Sequence, residues 1–278
     1  MAAARKACII GWPAAHSRSP LIHNYWIRQH GLAGEYGREG VPPEKFAEFV
    51  AHLADHGYVG ANVTIPHKEV ALALSQPDDR AKAVGAANTL WLDKGALKST
   101  NTDVEGFLAS LDEASPSWAQ AKRALVLGAG GAARAVVFGL LERGIPHIDL
   151  ANRTLARAQA LRERFGERVH PVSWDAVPKL LPQAQLLVNT TSLGMKGQPP
   201  LDVDLAGLPA QAVVSELVYV PLNTPLLVAA RARGLAAADG LSVLLHQAGR
   251  GFSLWFGVTP KVTPELRALV ESDLLAKA

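Results

Sequence analysis

Residues 60–68, Gly-Ala-Asn-Val-Thr-Ile-Pro-His-Lys, place polar side chains where a predicted strand ends. Asn62 and Thr64 are two residues apart, so their side chains project to the same side of that strand. Lys68 follows Pro66 at the entry to a predicted helix. A lysine can transfer a proton to or from a reacting hydroxyl when burial lowers its pKa from about 10.4. The alternative for Lys68 is an ordinary surface lysine.

Three further polar residues are candidates for substrate contact, because open α/β sheets bind ligands at the ends of their strands. Each also has a plain structural interpretation. Asn88 precedes an apolar stretch and is typical of a turn, and Asp103 can cap a helix that begins at Glu105. Ser19 stands directly before Pro20, which is the pattern of a helix N-cap with proline in the first turn.

A glycine-rich turn follows a buried strand in residues 124–133, Ala-Leu-Val-Leu-Gly-Ala-Gly-Gly-Ala-Ala. In this G-x-G-x-x-[GA] spacing Gly128 permits a tight turn, Gly130 lets the backbone approach a pyrophosphate, and Ala133 allows close helix–strand packing. A helix predicted over residues 132–143 offers N–H groups and the positive end of its dipole to the phosphates. We predict a dinucleotide site here, with a plain tight turn as the alternative.

The end of the next strand distinguishes NADP from NAD. It reads Asn152-Arg153-Thr154, and Arg157 follows one helical turn later. An NAD site usually ends this strand with an acid that binds the ribose 2′-OH, and Asp149 lies three residues too early. Arg153 can pair with a 2′-phosphate and stack on adenine, so NADP is the predicted cofactor. The alternative is a helix N-cap followed by a solvated arginine face.

Short apolar runs alternate with helix-period stretches along the chain, which indicates the α/β class and a parallel sheet. A composition shift over residues 113–122 separates two such series. We therefore predict an N-terminal α/β substrate domain and a Rossmann-like, doubly wound NADP domain, with C-terminal helices that return to the first lobe. The predicted bounds are 1–106, 107–238 and 239–278; the predicted strands are 7–10, 60–65, 124–127, 148–151, 186–189 and 212–217, and the predicted helices are 21–30, 43–56, 69–74, 132–143, 241–256 and 264–275.

Composition excludes several other classes of protein. The 278 residues are 49% apolar and 19% charged, which is an ordinary globular composition and not that of a disordered chain. A net charge of +3 is too small to favour nucleic acid as a partner. Cys8 is the single cysteine, which excludes an internal disulfide and a cysteine-based zinc cluster, and no metal site is predicted. No apolar run has the length of a membrane span, and no signal peptide is recognisable, so we expect a cytoplasmic protein.

Seven groups of residues, in one order along the chain, resemble the shikimate dehydrogenase family over residues 9–258. The resemblance implies NADP-dependent, reversible reduction of 3-dehydroshikimate to shikimate, a step of aromatic amino-acid biosynthesis. The family has monomers and homodimers, and either state is expected here. The groups are residues 11–20, Gly-Trp-Pro-Ala-Ala-His-Ser-Arg-Ser-Pro; 61–69, Ala-Asn-Val-Thr-Ile-Pro-His-Lys-Glu; 85–89, Gly-Ala-Ala-Asn-Thr; 101–103, Asn-Thr-Asp; 189–195, Asn-Thr-Thr-Ser-Leu-Gly-Met; 217–221, Leu-Val-Tyr-Val-Pro; and 239–247, from Asp-Gly-Leu to Gln.

The resemblance also implies roles for individual residues. Lys68 and Asp103 are the expected catalytic pair at the reacting hydroxyl, with Lys68 moving the proton and Asp103 orienting both groups. Ser17 and Ser19 are expected to bind the substrate carboxylate, beside Tyr219. The ring hydroxyls are assigned to Asn62, Thr64, Asn88 and Gln247; the pyrophosphate to Gly128, Ala129, Gly130, Gly131 and Ala132; the 2′-phosphate and adenine to Asn152, Arg153, Thr154 and Arg157; and the ribose and nicotinamide to Thr190, Leu217 and Gly240.

Four residues depart from the family pattern without removing a catalytic group. Val104 follows Asp103 where glycine is common, Glu216 replaces a frequent Asp, and Ser242 and Val243 replace a usual Gly-Met near the nicotinamide. Serine rather than threonine at the second position of the Ser-x-Ser pair disfavours quinate. Two alternatives remain: a quinate or aminoshikimate dehydrogenase, and a non-catalytic NADP-sensing regulator.

Overall fold

The chain divides into two compact units, each with its own six-stranded sheet. The computed structural model describes residues 4–277; residues 1–3, on which the expectation of no signal peptide partly rests, and residue 278 lie outside the described residues. The first unit runs to Thr102 and also contains Gln247–Val270. The second unit contains Asp103–His246 and the chain from Glu271 onward. Helices accompany both sheets, which confirms the predicted two-lobed α/β class.

The sheet of the first unit is mixed. Its strand order is β2-β1-β3-β5-β6-β4; β1 runs parallel to β2 and β3, whereas β5 runs antiparallel to β3 and β6. The prediction of a wholly parallel sheet was therefore wrong here, because Lys94 and Gly95 both take positive φ and close a tight hairpin. Its elements are β1 (Arg5–Gly11), α1 (Ser19–Gln29), β2 (Gly34–Gly40), α2 (Pro43–Ala51), β3 (Tyr58–Val63), α3 (Lys68–Ala73), β4 (Gln76–Pro77), α4 (Asp79–Val84), β5 (Thr89–Asp93) and β6 (Ala96–Thr100).

The start of α1 differs from the prediction. The N-cap alternative for Ser19 does not hold, because Ser19 is the first helical residue and Arg18 takes the cap position without a side-chain capping bond. The reason is local, since the Ser17 hydroxyl oxygen accepts a hydrogen bond from the Ser19 N–H at 3.2 Å. Pro20 lies in the first turn, where its missing N–H costs nothing.

The sheet of the second unit is entirely parallel, in the order β12-β11-β10-β7-β8-β9. This is the doubly wound order, with its switch point between β7 and β10, where such sheets bind ligands. The elements from Asp103 onward are α5 (Asp103–Ala114), β7 (Arg123–Leu127), α6 (Gly131–Glu142), β8 (His147–Asn152), α7 (Leu155–Phe165), β9 (Val169–Ser173), α8 (Val177–Leu180), β10 (Leu186–Asn189), β11 (Val213–Glu216), α9 (Pro225–Ala232), β12 (Ala236–Ala238), α10 (Gly240–Phe256) and α11 (Pro264–Ala276); Gln247–Val270, in α10 and α11, belong to the first unit.

The central strands of both sheets are mostly buried, as in β1 of the first unit, whose last five residues are all buried. Four of the five residues of β7 and all four of β10 are buried, which explains their continuous apolar runs. In the first unit, Trp26, Phe252 and Trp255 are each at most 1% exposed. Among residues 4–277, no helix is long and apolar enough to cross a membrane, and no cluster of His, Cys, Asp or Glu is suited to a metal ion.

Candidate functional site

The loops after β1 and β3 lie against each other in the first unit. The Trp12 N–H donates to the Ile65 carbonyl at 3.1 Å, and the Thr64 N–H donates to the Ile10 carbonyl at 2.9 Å. A Cβ on Gly11 would overlap the Thr64 methyl group, so this close approach requires glycine. The structure therefore brings the segment that carries the two predicted serines next to Thr64.

Ser17 and Ser19 form a pair of hydroxyls at the start of α1. The Ser17 hydroxyl donates to Ser19 Oγ at 3.2 Å. Arg38 donates to the Ser17 carbonyl at 2.8 Å, which fixes the backbone of the pair. Ser17 is half-buried and Ser19 is buried. Two hydroxyls held at this spacing suit the two oxygens of a carboxylate.

Three predicted ring-binding residues share one set of hydrogen bonds: Asn88 and Gln247 are linked through Thr102, and Asn62 is linked to Asn88. Asn88 Nδ2 donates to Thr102 Oγ1 at 3.1 Å, and the Thr102 N–H donates to Asn88 Oδ1 at 2.7 Å. The Thr102 hydroxyl donates to Gln247 Oε1 at 3.3 Å. Asn62 Nδ2 donates to the Asn88 carbonyl at 3.3 Å and to Thr89 Oγ1 at 3.1 Å. We call these five residues, Asn62, Asn88, Thr89, Thr102 and Gln247, the amide network.

Tyr36 supports this network and was missed from the sequence. Its hydroxyl donates to Asn62 Oδ1 at 2.6 Å, and its ring stacks on His23 at 4.1 Å. Burial raises the pKa of the Tyr36 hydroxyl well above its usual range, so it stays a donor at physiological pH. The Asn62 amide nitrogen also donates within the unit, to the Asn88 carbonyl and to Thr89. Asn62 therefore lies beside Asn88 and supports its position.

Lys68 is the first residue of α3 and is half-buried. Its carbonyl accepts a hydrogen bond from the Ala87 N–H at 2.9 Å, which ties the start of α3 to the residue before Asn88. His67 anchors the same turn, because its Nε2 donates to the Val41 carbonyl at 2.7 Å and its ring stacks on Phe46. Burial lowers the pKa of His67, so this neighbour stays uncharged at neutral pH.

The glycine turn of the second unit is open on the side a ligand would occupy. Gly128 has φ +99°, and a Cβ there would lie 2.8 Å from Thr190 Oγ1, so the turn requires glycine. Apart from its own chain neighbours and helix backbone, no atom of the described residues 4–277 lies within 4 Å of a Cβ built on Gly130 or Gly131, and Gly130 is the N-cap of α6. Exposed backbone and a free helix N-terminus fit a pyrophosphate. Ala129 and Ala132 complete this segment; Ala132 is exposed and Ala129 half-buried.

Asn152 braces the glycine turn. Its Oδ1 accepts from the Ala129 N–H at 3.1 Å, and its Nδ2 donates to the Thr154 carbonyl at 2.8 Å. Thr154 occupies the N-cap position of α7, as the capping alternative predicts, but its side chain makes no capping hydrogen bond. Arg153 and Arg157 are exposed beside this turn. Asp149 is bound by Arg123 at 2.6 Å and by His147 at 3.0 Å, within the sheet.

The remaining predicted residues lie on segments that follow the strands of the second unit. The Thr190 hydroxyl donates to the Leu127 carbonyl at 2.8 Å, and the Leu217 N–H donates to the Asn189 carbonyl at 3.2 Å. A Cβ on Gly240 would overlap the Leu217 carbonyl oxygen, so these segments are packed closely. Tyr219 is half-buried after β11. Asp103, for which a helix cap was the alternative to a catalytic role, is the first helical residue of α5.

The two units define a class of protein. A doubly wound parallel sheet with an open glycine turn at its switch point is a dinucleotide-binding fold. The other unit presents a half-buried lysine, a hydroxyl pair and an amide network, which suit a small hydroxylated acid. A dinucleotide-binding fold together with a lysine that can transfer a proton is typical of an oxidoreductase.

Comparisons with known proteins agree with this class. The family model for the shikimate dehydrogenase substrate binding domain matches residues 9–90, and that for shikimate / quinate 5-dehydrogenase matches residues 111–195. The chain is 68% identical over 273 residues to the shikimate dehydrogenase (NADP(+)) of Rhodopseudomonas palustris strain TIE-1, covering 98% of both chains. The chain therefore belongs to the shikimate dehydrogenase family.

Solved structures are similar over the whole chain. The shikimate 5-dehydrogenase of Thermus thermophilus in complex with NADP(H) and shikimate is 34% identical, with a TM-score of 0.83 and coverage of 99% of this chain and 100% of that one. The quinate dehydrogenase of Corynebacterium glutamicum in complex with NAD is 30% identical, with a TM-score of 0.88 and coverage of 97% and 99%. The predicted family and fold are confirmed.

Proposed function

We propose that the chain catalyses the NADP-dependent, reversible reduction of 3-dehydroshikimate to shikimate, a step of aromatic amino-acid biosynthesis. The observation that carries this proposal is 68% identity over 98% of the chain to a shikimate dehydrogenase (NADP(+)). The chain's own residues support it, because the Lys68 carbonyl accepts a hydrogen bond from Ala87, the residue before Asn88. A sensor that only bound NADP would need neither group.

Substrate binding follows from the two polar sets of the first unit. We assign the substrate carboxylate to the hydroxyls of Ser17 and Ser19, with Tyr219 as a further contact. The ring hydroxyls are assigned to Thr64, Asn88 and Gln247, which offer donors and acceptors suited to alcohol groups. Asn62 is assigned to the same site through Asn88, since its amide hydrogens donate to the Asn88 carbonyl and to Thr89.

Lys68 is assigned as the group that moves the proton. When the ketone of 3-dehydroshikimate is reduced, the Lys68 ammonium donates a proton to the developing alkoxide oxygen, and the C=O becomes C–OH. In the reverse direction the neutral amine accepts that proton. Asp103 is assigned to orient the Lys68 ammonium and the substrate hydroxyl, since a carboxylate accepts from both.

The second unit is assigned to the cofactor. NADPH, when bound, supplies the hydride for this reduction. The backbone of residues 128–132 would hold its pyrophosphate, and Asn152, Arg153, Thr154 and Arg157 its 2′-phosphate and adenine. Thr190, Leu217 and Gly240 would line the ribose and nicotinamide. The exposed Arg153 and Arg157 and the open Gly130 support this assignment.

The test is absorbance at the nicotinamide band with shikimate or quinate, each offered NADP and then NAD. We expect the nicotinamide of NADP to be reduced in the mixture with shikimate, and little nicotinamide reduction in the other three mixtures. Equal or faster reduction with quinate would instead identify a quinate dehydrogenase. Folded protein that binds NADPH but reduces nothing would contradict an enzymatic function and favour the sensor. Two further predictions are a location in the cytoplasm, which cell fractionation tests, and a monomeric or homodimeric state, which light scattering tests.

A further inference from the structure

Glu216 is a buried carboxylate that the proposed chemistry does not use. It is the last residue of β11, it is fully buried, and it departs from the Asp that is frequent at this position in the family. Four hydrogen bonds reach its two oxygens. Asn189 Nδ2 donates to Oε1 at 2.9 Å and to Oε2 at 3.1 Å, the Val218 N–H donates to Oε1 at 2.9 Å, and the Thr224 hydroxyl donates to Oε2 at 3.2 Å.

These donors join the segments that follow two neighbouring strands. Asn189 ends β10 and begins the segment that carries Thr190, while Val218 lies between Leu217 and Tyr219. The bond to Glu216 also fixes which way the Asn189 amide faces. Its Oδ1 then accepts from the Thr191 hydroxyl at 2.7 Å and from the Thr191 N–H at 3.0 Å. One carboxylate therefore orders both segments.

The same segments touch the other nucleotide-binding positions. Thr190 lies against Gly128, and Gly240 lies against the Leu217 carbonyl. A shift of either segment would therefore reach the glycine turn or the start of α10. The donors to Glu216 lie on these two segments, except for Thr224, which is the N-cap of α9. The contacts of Glu216 therefore differ from those of a residue that only fills the core.

A carboxylate at this buried position carries a desolvation cost. Burial raises the pKa of Glu216, and the four hydrogen bonds offset only part of that effect. A neutral or apolar residue would avoid the desolvation cost but would leave buried donors without an acceptor. We infer that Glu216 is a positioning residue for the cofactor site: its carboxylate holds the Asn189–Thr191 and Leu217–Tyr219 segments in the arrangement that binds NADPH. This inference rests on the proposed function.

Asp149 provides a matched control in the same unit. It is also a buried carboxylate, but its partners Arg123 and His147 are the first residues of β7 and β8, away from the nucleotide segments. Asp149→Asn removes charge from the same sheet without touching either segment. A purely structural role for Glu216 predicts that both substitutions behave alike.

The experiment measures NADPH affinity by fluorescence titration, and thermal stability, in the full chain. Glu216→Gln places an N–H against donors and should weaken NADPH binding about tenfold, the effect of losing one charge-assisted hydrogen bond. Glu216→Asp keeps the charge and should restore most of the affinity. Asp149→Asn should lower the melting temperature while leaving NADPH affinity unchanged.

Two results would overturn the inference. One is Glu216→Gln with lowered stability but the parent's NADPH affinity; the other is equal loss of affinity in Asp149→Asn. If Glu216→Gln does not fold, Thr224→Val keeps the side-chain shape and removes one donor to Glu216 together with the side-chain cap of α9. Unaltered NADPH affinity in this variant would count against the inference equally. A parent chain that does not bind NADPH would contradict the proposed function instead, so the two failures are distinguishable.

Discussion

Lys68 gains its position from its neighbours rather than from its own helix. α3 has six residues, too few to be stable alone, and it is held by the stacked ring of His67 and by the bond from Ala87 to the Lys68 carbonyl. Those contacts use the histidine ring and the lysine backbone. The arrangement can therefore keep its geometry when the Lys68 side chain is removed.

Lys68→Ala should lower kcat by about two to four orders of magnitude, the usual contribution of a general acid or base. NADPH affinity should not change, because the lysine is assigned to proton transfer and not to the cofactor. Steady-state kinetics and an NADPH titration measure the two effects. Lys82→Ala, which removes an exposed lysine of α4, should match the parent in both. Turnover close to that of the parent in Lys68→Ala would remove this lysine from the mechanism.

Arg153 distinguishes a 2′-phosphate contact from a solvated arginine face. Arg153→Ala should weaken NADPH binding by about tenfold or more, since a charge-assisted pair with the phosphate is lost, and weaken NADH far less. Arg162 lies further along α7 and is also exposed, so Arg162→Ala is the matched control and should change neither affinity. Equal weakening of NADPH and NADH by Arg153→Ala would contradict the contact.

His23 makes the first unit sensitive to acid. It is fully buried among Tyr36, Trp26, Phe252 and Trp255, and burial lowers its pKa from 6.5 to about 3. The unfolded chain therefore binds a proton below pH 6.5 that the folded chain does not bind. The contribution of neutral, buried His23 to the free energy of unfolding is complete above pH 6.5. It is lost as the pH falls towards 3, by about 1.4 kcal/mol per pH unit at most.

His23→Leu should accordingly flatten the fall in unfolding free energy between pH 6.5 and pH 4, whatever its cost at neutral pH. Tyr36, the titratable residue stacked on His23, stays neutral throughout that range because burial raises its pKa. Urea unfolding at pH 7, 6 and 5 measures the slope. His56→Leu, which removes an exposed histidine, should keep the parent's slope. The same slope in His23→Leu and the parent would refute this origin of the acid sensitivity.

At the scale of elements, β3 and α10 meet at Gly60. A Cβ on Gly60 would overlap Trp255 Nε1 and the Leu90 carbonyl oxygen, and the indole N–H donates to that same carbonyl at 2.8 Å. The indole of a fully buried tryptophan cannot move aside without opening the core. Glycine here serves the packing of a helix on a strand rather than a turn.

Gly60→Ala should therefore destabilise the fold by about 3 kcal/mol, at the upper end of overpacking effects. Gly37→Ala is the matched control, because Gly37 lies in β2 of the same sheet and its Cβ would have only the Tyr58 hydroxyl, at 3.9 Å, nearby. Chemical denaturation of both variants measures the difference. If the two alanine variants unfold at the same urea concentration, the indole does not constrain this position.

Elements differ in how well the sequence predicts them. The strand predicted over residues 186–189 has those bounds in the structure, because a parallel strand buried on both faces is a continuous apolar run. β2 was not predicted, since Gly-Glu-Tyr-Gly-Arg-Glu-Gly has three glycines and little β propensity. It is a strand because it pairs with β1, with Tyr36 opposite Ala7. Tyr36 was missed with it.

The residues of the candidate site also differ in how well the sequence predicts them. Residues within short motifs, such as Asn88 and Gln247, were predicted, because a family pattern marks them directly. Their partner Thr102 and the bracing role of Asn152 depend on contacts between distant strands and loops. Glu216 was noted only as a departure from the pattern, and its four hydrogen bonds appear only when the ends of β10 and β11 are side by side. Tertiary pairing decides these roles.

At the scale of the whole molecule, the first unit is discontinuous in sequence. Residues 247–270 supply Phe252, Trp255 and Leu266, each at most 1% exposed, to a unit whose other residues precede position 103. The Trp26 indole N–H also donates to the Lys261 carbonyl at 3.0 Å. The N-terminal segment cannot complete its core until the last part of the chain has been made.

A chain ending at residue 246 should therefore fail to fold its first unit. Losing one buried large aromatic side chain costs about 3–5 kcal/mol, so losing Phe252 and Trp255 together costs about 6–10 kcal/mol, which is comparable with the 5–15 kcal/mol that stabilises a typical domain. A chain ending at residue 270 keeps every described residue of that unit and is the matched control. Limited proteolysis should cut the shorter chain within residues 4–102 and leave those residues protected in the longer one. Equal protection of that segment in both chains would mean that residues 247–270 are dispensable for the first unit.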